Sequence, residues 1–224
     1  MKTGIQPRVL LALEFSSDRR SVALLRDGVV VAEAVQDAGR STRVFALVDE
    51  ALARAGVTAG DVDALAVGIG PGSYTGIRLA ISVAQGWSLA AGEERSIPVI
   101  PVGSFEVLAA AVGGPALLAS DAQRDEWAVA RVEAGRVQEA IRLVPTAELR
   151  TLAATCRVVG PEVARALSVG EEFHSTAGGV GRWAVEHPVA VPAETLAPVY
   201  LRSAAFVKAP VARVIPGITD VPEP

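Results

Sequence analysis

The stretch GPGSYTGIR, residues 70–78, gathers more chemistry in a short space than any other part of this sequence. Gly70, Pro71 and Gly72 spell a tight turn, with Pro71 fixing its own φ and Gly72 free to take a positive one. Ser73 is placed to cap the helix that follows. Amides at a helix start attract anions, and Arg78 lies about one and a half turns further on. Gly70, Gly72, Ser73 and Arg78 therefore form a candidate nucleotide- or anion-binding set. The same glycines suit a plainer task, reversing a strand into a closely packed helix. The spacing lacks the G-K-[ST] ending of a Walker loop.

Other candidate chemistry is sparse. Glu14, Asp18, Asp121 and Asp125 stand at or just past predicted strand ends, where they could hold Mg²⁺ on a nucleotide or serve as turn residues. The two histidines, His174 and His187, make no H-x-x-x-H or H-E-x-x-H pair, so a histidine metal site is not expected. No Ser/His/Asp arrangement is evident. The single cysteine, Cys156, lies among Ala, Thr and Val and reads as a small core residue; alone, it excludes an internal disulfide. No catalytic set, metal site or cofactor of the chain's own follows.

The elements that must carry these residues are easier to read. Apolar runs predict strands at Arg8–Glu14, Ser21–Arg26 and Val29–Val35, the last two joined by the hairpin signal Asp27-Gly28. Ser41 or Thr42 can cap a helix with the stripe Val44, Val48, Ala51, Leu52 and Ala55, closed by Gly56. A buried strand over Asp63–Ile69 leads into the glycine turn and a long helix to about Ala91. The strand IPVIPV and a helix from Ser104 to Val112 follow. The order is β-β-β-α-β-α. LLALEFSSDRRSVALLRDGVVVAEA and LLASDAQRDEWAVARVEAGRVQEA then align without a gap, setting Ala12 on Ala119, Glu14 on Asp121 and Gly28 on Gly135. This reads as an internal duplication. Its second copy continues through a helix near Pro145–Ala154, the strand RVVG and the helix PEVARAL. The two lobes are 1–103 and 104–224, with the hinge near Gly103 and the last residues packing back on the first lobe. Two such lobes predict the α/β, two-lobed, actin-like or ribonuclease H-like architecture.

The long helix has an unusual face distribution. Ile77, Ala80, Ile81, Ala84 and Trp87 form one apolar face, and Leu79, Val83, Gly86 and Ala90 form another. A helix apolar nearly all round asks for cover on two sides. This chain's own first helix could supply the second cover, or a subunit interface could; Ala80, Ala84 and Gly86 would let another helix approach.

Bulk properties fit a protein of modest partners. The chain has 224 residues, half of them hydrophobic but only 4% aromatic, and a formal net charge of −4. That length allows one large domain or two small lobes. The charge gives no footprint for independent nucleic-acid binding. The opening apolar run is short and ends at Glu14, without a signal-peptide cleavage pattern. No segment reaches the roughly 18 apolar residues of a membrane span. With a lone cysteine, a cytoplasmic, non-membrane protein is expected.

With LLALEFSS at its start, AVGIGPGSYTGIRLAISVAQGWSLA in the middle, LLASDAQRDEWAVA opening the second lobe and LAPVYLR near the end, the chain resembles the TsaB (YeaZ) family along nearly its whole length. That resemblance implies an actin-like fold and a role in making threonylcarbamoyl-adenosine at position thirty-seven of tRNAs reading ANN codons. It implies a non-catalytic subunit that heterodimerises with a TsaD-type catalytic subunit, joined by a TsaE-type ATPase. ATP or ADP would bind only in the complex, and tRNA only through it. The helices Thr42–Ala55 and Ser73–Ala91 would bundle with the partner's matching helices. Val44, Leu47, Val48, Ala51, Tyr74, Gly76, Ile77, Ala80, Ile81, Ala84 and Trp87 are the interface residues so implied.

Two positions depart from the family pattern. Glu14-Phe15-Ser16 stands where Asp-Thr-Ser is common, which weakens nucleotide binding by the first lobe, and Arg40-Ser41 stands for His-Ser. Segment 168–190 matches no pattern of the family. The alternative function is an ATP-dependent small-molecule kinase of the same superfamily. A kinase asks for an Asp-Gly-Gly-type turn where this chain has SDAQRDEW. A glycoprotease would need a metal or nucleophile. Whether the chain forms a homodimer alone is open.

Overall fold

The computed structural model describes residues 7–37, 43–92 and 95–202. In the first lobe, β1 (Val9–Glu14), β2 (Arg20–Arg26) and β3 (Val29–Gln36) form an antiparallel meander. After α1 (Val44–Ala55), β4 (Ala64–Gly68) joins β1 in parallel; α2 (Tyr74–Ala91) and then β5 (Val99–Val102) follow, β5 beside β4. The sheet order is β3-β2-β1-β4-β5. Asp27 and Gly28 both take positive φ, 49° and 80°, as the two-residue hairpin requires. Gly56 closes α1 in the left-handed conformation. Ser41 and Thr42 lie outside the described residues, and Arg43 is the N-cap without a side-chain bond.

After α3 (Ser104–Ala111) the pattern repeats. The strands β6 (Ala116–Asp121), β7 (Glu126–Glu133) and β8 (Arg136–Val137) repeat β1 to β3 in order, and Ala134-Gly135 repeats the positive-φ turn of Asp27-Gly28. The duplication is therefore real in space as well as in sequence. An additional strand, β9 (Arg142–Pro145), takes most of the pairing on β7 that the short β8 leaves open. α4 (Thr146–Ala153), β10 (Val158–Gly160), α5 (Val163–Leu167) and β11 (Glu171–Glu172) complete a sheet in the order β11-β10-β6-β7-β8.

The chain then returns to the first lobe. α6 (Ala177–Glu186) lays Ala177, Val180 and Ala184 on Leu10, Ala12, Ala23 and Leu25, while α1 and α2 cover the opposite face through Leu11, Leu13, Leu24 and Leu65. β1 and β4 are thus apolar on both sides because both sides are covered. Burying each of those leucines contributes about 1.5–3 kcal/mol. The backbone passes between lobes at Gly103-Ser104, again at Ser175, and again at Val199–Arg202. The part of the second lobe that packs by itself therefore ends near residue 174. Residues 175–196 belong with the first lobe.

Candidate functional site

The glycine turn presses against the β1–β2 loop. A Cβ at Gly72 would run into the Ser16 carbonyl, and one at Gly76 into the Phe15 carbonyl. The Ser73 amide donates to that same Ser16 oxygen at 2.6 Å, and the Ser73 hydroxyl accepts from the Gly76 amide at 3.3 Å, capping α2. The Ser73 and Gly76 amides are therefore already engaged within the chain. Arg78 points elsewhere: its guanidinium lies 5.4 Å from the Tyr74 ring centre and donates to the Tyr74 hydroxyl at 3.3 Å. The turn brings a helix close to a loop; Gly70, Gly72, Ser73 and Arg78 do not converge on one point.

The long helix needs the larger correction. Ile77, Ala80, Ile81 and Ala84, with Gly76, are buried, and the four larger ones pack in the core under the first sheet. Val44, Leu47, Val48 and Ala51 of α1 are buried likewise. The face predicted for a partner is the face that covers this chain's own strands, since the Leu and Val side chains of that sheet face are buried by it. What α1 and α2 turn outward is different: Phe45 (73% exposed), Leu79, Val83, Gly86 and Ala90, with Trp87 half-buried between them. These residues and Val44 line an apolar groove of about 660 Å³. Tyr74 is half-exposed and meets Tyr200 at 6.3 Å between ring centres.

The acidic residues do not gather. Glu14 is 1% exposed, accepting from the Ser16 amide (2.7 Å), the Ser104 hydroxyl (2.9 Å) and the Ser175 hydroxyl (2.8 Å). It ties together three segments at the points where the chain changes lobe. Phe15 is fully buried in the first core. Asp121 accepts from the amide and side chain of Gln123, and Asp125 sits in a turn where three consecutive residues have positive φ. Among the described residues no three His, Cys, Asp or Glu side chains are grouped to hold a metal ion. Cys156 is exposed, against expectation: it follows α4, and its thiol donates to the Leu152 carbonyl.

A cluster between the lobes is invisible in the sequence. The Ser17 hydroxyl lies 3.1 Å from His174 Nδ1, and His174 Nε2 lies 3.2 Å from the Glu172 carboxylate. Residues 17 and 174 carry no shared motif, so no spacing rule could have joined them. Serine, histidine and glutamate in line suggest a hydrolytic triad, but the donors argue otherwise. Ser17 donates its one proton to the Arg19 carbonyl at 2.9 Å and is only 3% exposed. With that bond to Arg19 made, the hydroxyl is not presented as a free nucleophile. Beside this pair, the Asp18 carboxylate accepts from Arg165 at 2.8 Å, and the Asp18 amide donates to Glu162 at 3.1 Å.

The PVYLR segment crosses the lobes as a strap. The Val199 amide donates to Ile69, Leu201 packs in the second core, and Arg202 donates to the Ala122 and Gln123 carbonyls and to Glu126.

Comparison with known proteins places this geometry. A family model described as TsaD, tRNA N6-adenosine threonylcarbamoyltransferase, matches residues 24–172. The chain belongs to this family, on its TsaB (YeaZ) side. It is 39% identical over 109 residues to the tRNA threonylcarbamoyladenosine biosynthesis protein TsaB of Haemophilus influenzae, covering 48% of this chain and 44% of that one. The TsaB protein of Escherichia coli is 36% identical over 101 residues, with 45% and 42% covered. These matches span less than half the length of either relative. The solved structure of YeaZ from Pseudomonas aeruginosa superposes with a TM-score of 0.68 at 28% identity, covering 86% of this chain and 99% of that one. The two-lobed fold expected of a TsaB-type chain is the fold present. Arg40-Ser41 lies outside the described residues. Segment 168–190, without a family pattern, supplies His174 and α6. No described helix is long and apolar enough to cross a membrane.

Proposed function

We propose that this chain is a non-catalytic, cytoplasmic subunit required for threonylcarbamoylation of adenosine 37 in tRNAs reading ANN codons, acting by heterodimerising with a TsaD-type catalytic subunit. Family membership and the TsaB names of its relatives support the pathway. One observation supports the mode of action: the apolar groove between α1 and α2, floored by Val83 and Trp87 and flanked by Phe45, on a chain whose described polar clusters serve its own folding. An exposed apolar groove on a helix pair fits a partner's helix. A TsaE-type ATPase would join the pair, nucleotide would bind in the assembled complex, and tRNA would be reached through it.

Co-expression with a tagged TsaD-type subunit tests the reading. The two chains are expected to co-purify, and mass spectrometry of tRNA digests is expected to show the modified nucleoside only when both are supplied. Failure to co-purify, or transfer by the isolated chain, overturns it.

A further inference from the structure

A cavity of about 420 Å³ opens between α3 and α6, on the side of the first sheet opposite the α1/α2 groove. We propose that it is a binding site for a free α-amino acid with an apolar side chain, its carboxylate taken by Arg182 and its ammonium by Glu186. The inference is independent of the partner proposed above and of its docking face.

The helices make the space. α6 holds three glycines, and each marks a close approach. A Cβ at Gly181 would run into Leu25, one at Gly178 would crowd the Glu33 carboxylate, and one at Gly179 would meet Val107 of α3. α6 is therefore drawn against α3 at Gly179. One turn beyond Val107, α3 presents only Ala110 and Ala111, whose short side chains leave the gap unfilled. Phe173 and His174, from the segment that joins β11 to α6, line the cavity as well. The His174 ring is fixed there between the Ser17 hydroxyl and the Glu172 carboxylate.

Charge decides the ligand. Arg182 and Glu186 both line the cavity, four residues apart on α6 and so on one face of it. Among the described residues neither side chain makes a hydrogen bond or an ion pair, whereas Glu50 and Arg54, at the same spacing in α1, are joined as one. A simple anion on Arg182 would lie beside the Glu186 charge, and a simple cation on Glu186 beside that of Arg182. A zwitterion satisfies both at once, with a forked guanidinium–carboxylate contact at one end. The remaining walls, Val107, Ala110, Ala111, Phe173 and Trp183, are apolar and fit an aliphatic or aromatic side chain. The volume stands near the lower end of small-molecule sites, roughly 300–1,000 Å³, which suits a single amino acid rather than a peptide.

The test is titration of the full chain with L-leucine and L-phenylalanine, followed by calorimetry and at the Trp183 indole N–H resonance of an isotope-labelled sample. A saturable shift is expected at Trp183, with the Trp127 indole, bonded to Thr146 in the second lobe, unmoved. Leucinamide lacks the carboxylate, isocaproate lacks the ammonium and glycine lacks the side chain; each should bind about tenfold more weakly or worse. Arg182→Gln and Glu186→Gln stand at exposed positions. Both should fold as the parent does and lose about tenfold or more in affinity for leucine. No movement of Trp183 at about 10 mM of either amino acid overturns the proposal. A response to isocaproate or leucinamide as strong as that to leucine overturns it too, since the pocket would then recognise apolar surface and not the paired charges. Unchanged affinity in both variants has the same consequence.

Discussion

Glu14 shows what a single residue does when a charge is buried with enough donors. Its carboxylate takes three hydrogen bonds from segments far apart in sequence, and Gly68 leaves room for it, since a Cβ there would meet the carboxyl group. Removing the acceptor strands two hydroxyls and an amide in the interior, at about 1–3 kcal/mol for each unsatisfied group. Glu14→Ala is expected to lower unfolding free energy by about 3 kcal/mol, measured by urea denaturation. Glu14→Gln keeps one oxygen and should lose roughly half as much. Equal stability for Glu14→Ala and the parent would remove this residue from the joint. Gly76→Ala belongs beside it: the added methyl meets backbone, not a flexible side chain, so about 2 kcal/mol or more should be lost.

At the scale of the element, α2 is read by its two faces. Ala84 is fully buried against the first sheet, and Gly86 is exposed with open space where a Cβ would stand. Ala84→Arg would force a charge into that core, at more than about 3 kcal/mol, and the expected result is loss of the thermal transition. Gly86→Arg should fold at least as well as the parent, because replacing a mid-helix glycine gains about 0.5–1 kcal/mol. The same substitution fills the α1/α2 groove with a long cation and should abolish co-purification with a TsaD-type subunit. Normal partner binding by Gly86→Arg would move the docking face elsewhere. The strap makes a prediction of the same kind. Arg202 holds the Ala122 and Gln123 carbonyls at the start of a turn with three successive positive φ values. Arg202→Ala should speed hydrogen exchange at the Ala122 and Glu126 amides, leaving the first-lobe amides of β1 unchanged.

For the whole molecule, Glu162 and Asp18 set a sign on stability against pH. Glu162 titrates in the folded chain at about 7, above its ordinary 4.5, so its contribution is complete below about 4.5 and is lost as pH rises through about 7. Asp18 is shifted the other way; its contribution is present above its ordinary 3.8 and is lost as pH falls further. Urea midpoints are therefore expected to fall between pH 5.5 and 8 in the parent, and to fall less in Glu162→Gln. A parallel fall in both chains would assign the pH dependence to other groups.

The local order was legible in the residues. Period-two and continuous apolar runs placed β1, β2, β3 and β4, Asp27-Gly28 and Gly56 placed a turn and a helix end, and Ser73 capped α2, because each of these signals acts within a few residues of chain. The duplication was legible too, since a repeated fold keeps its hairpin glycine and its strand lengths. Which side of α2 faces in could not be read, because both sides are apolar and only the position of the β1–β4 surface selects one. Ser17 and His174, 157 residues apart in sequence, and Asp18 and Glu162, 144 apart, meet only where the two lobes face each other. Pairing at such separation depends on how two sheets are set against each other, and no local pattern of residue types encodes that; the tertiary structure alone decides it.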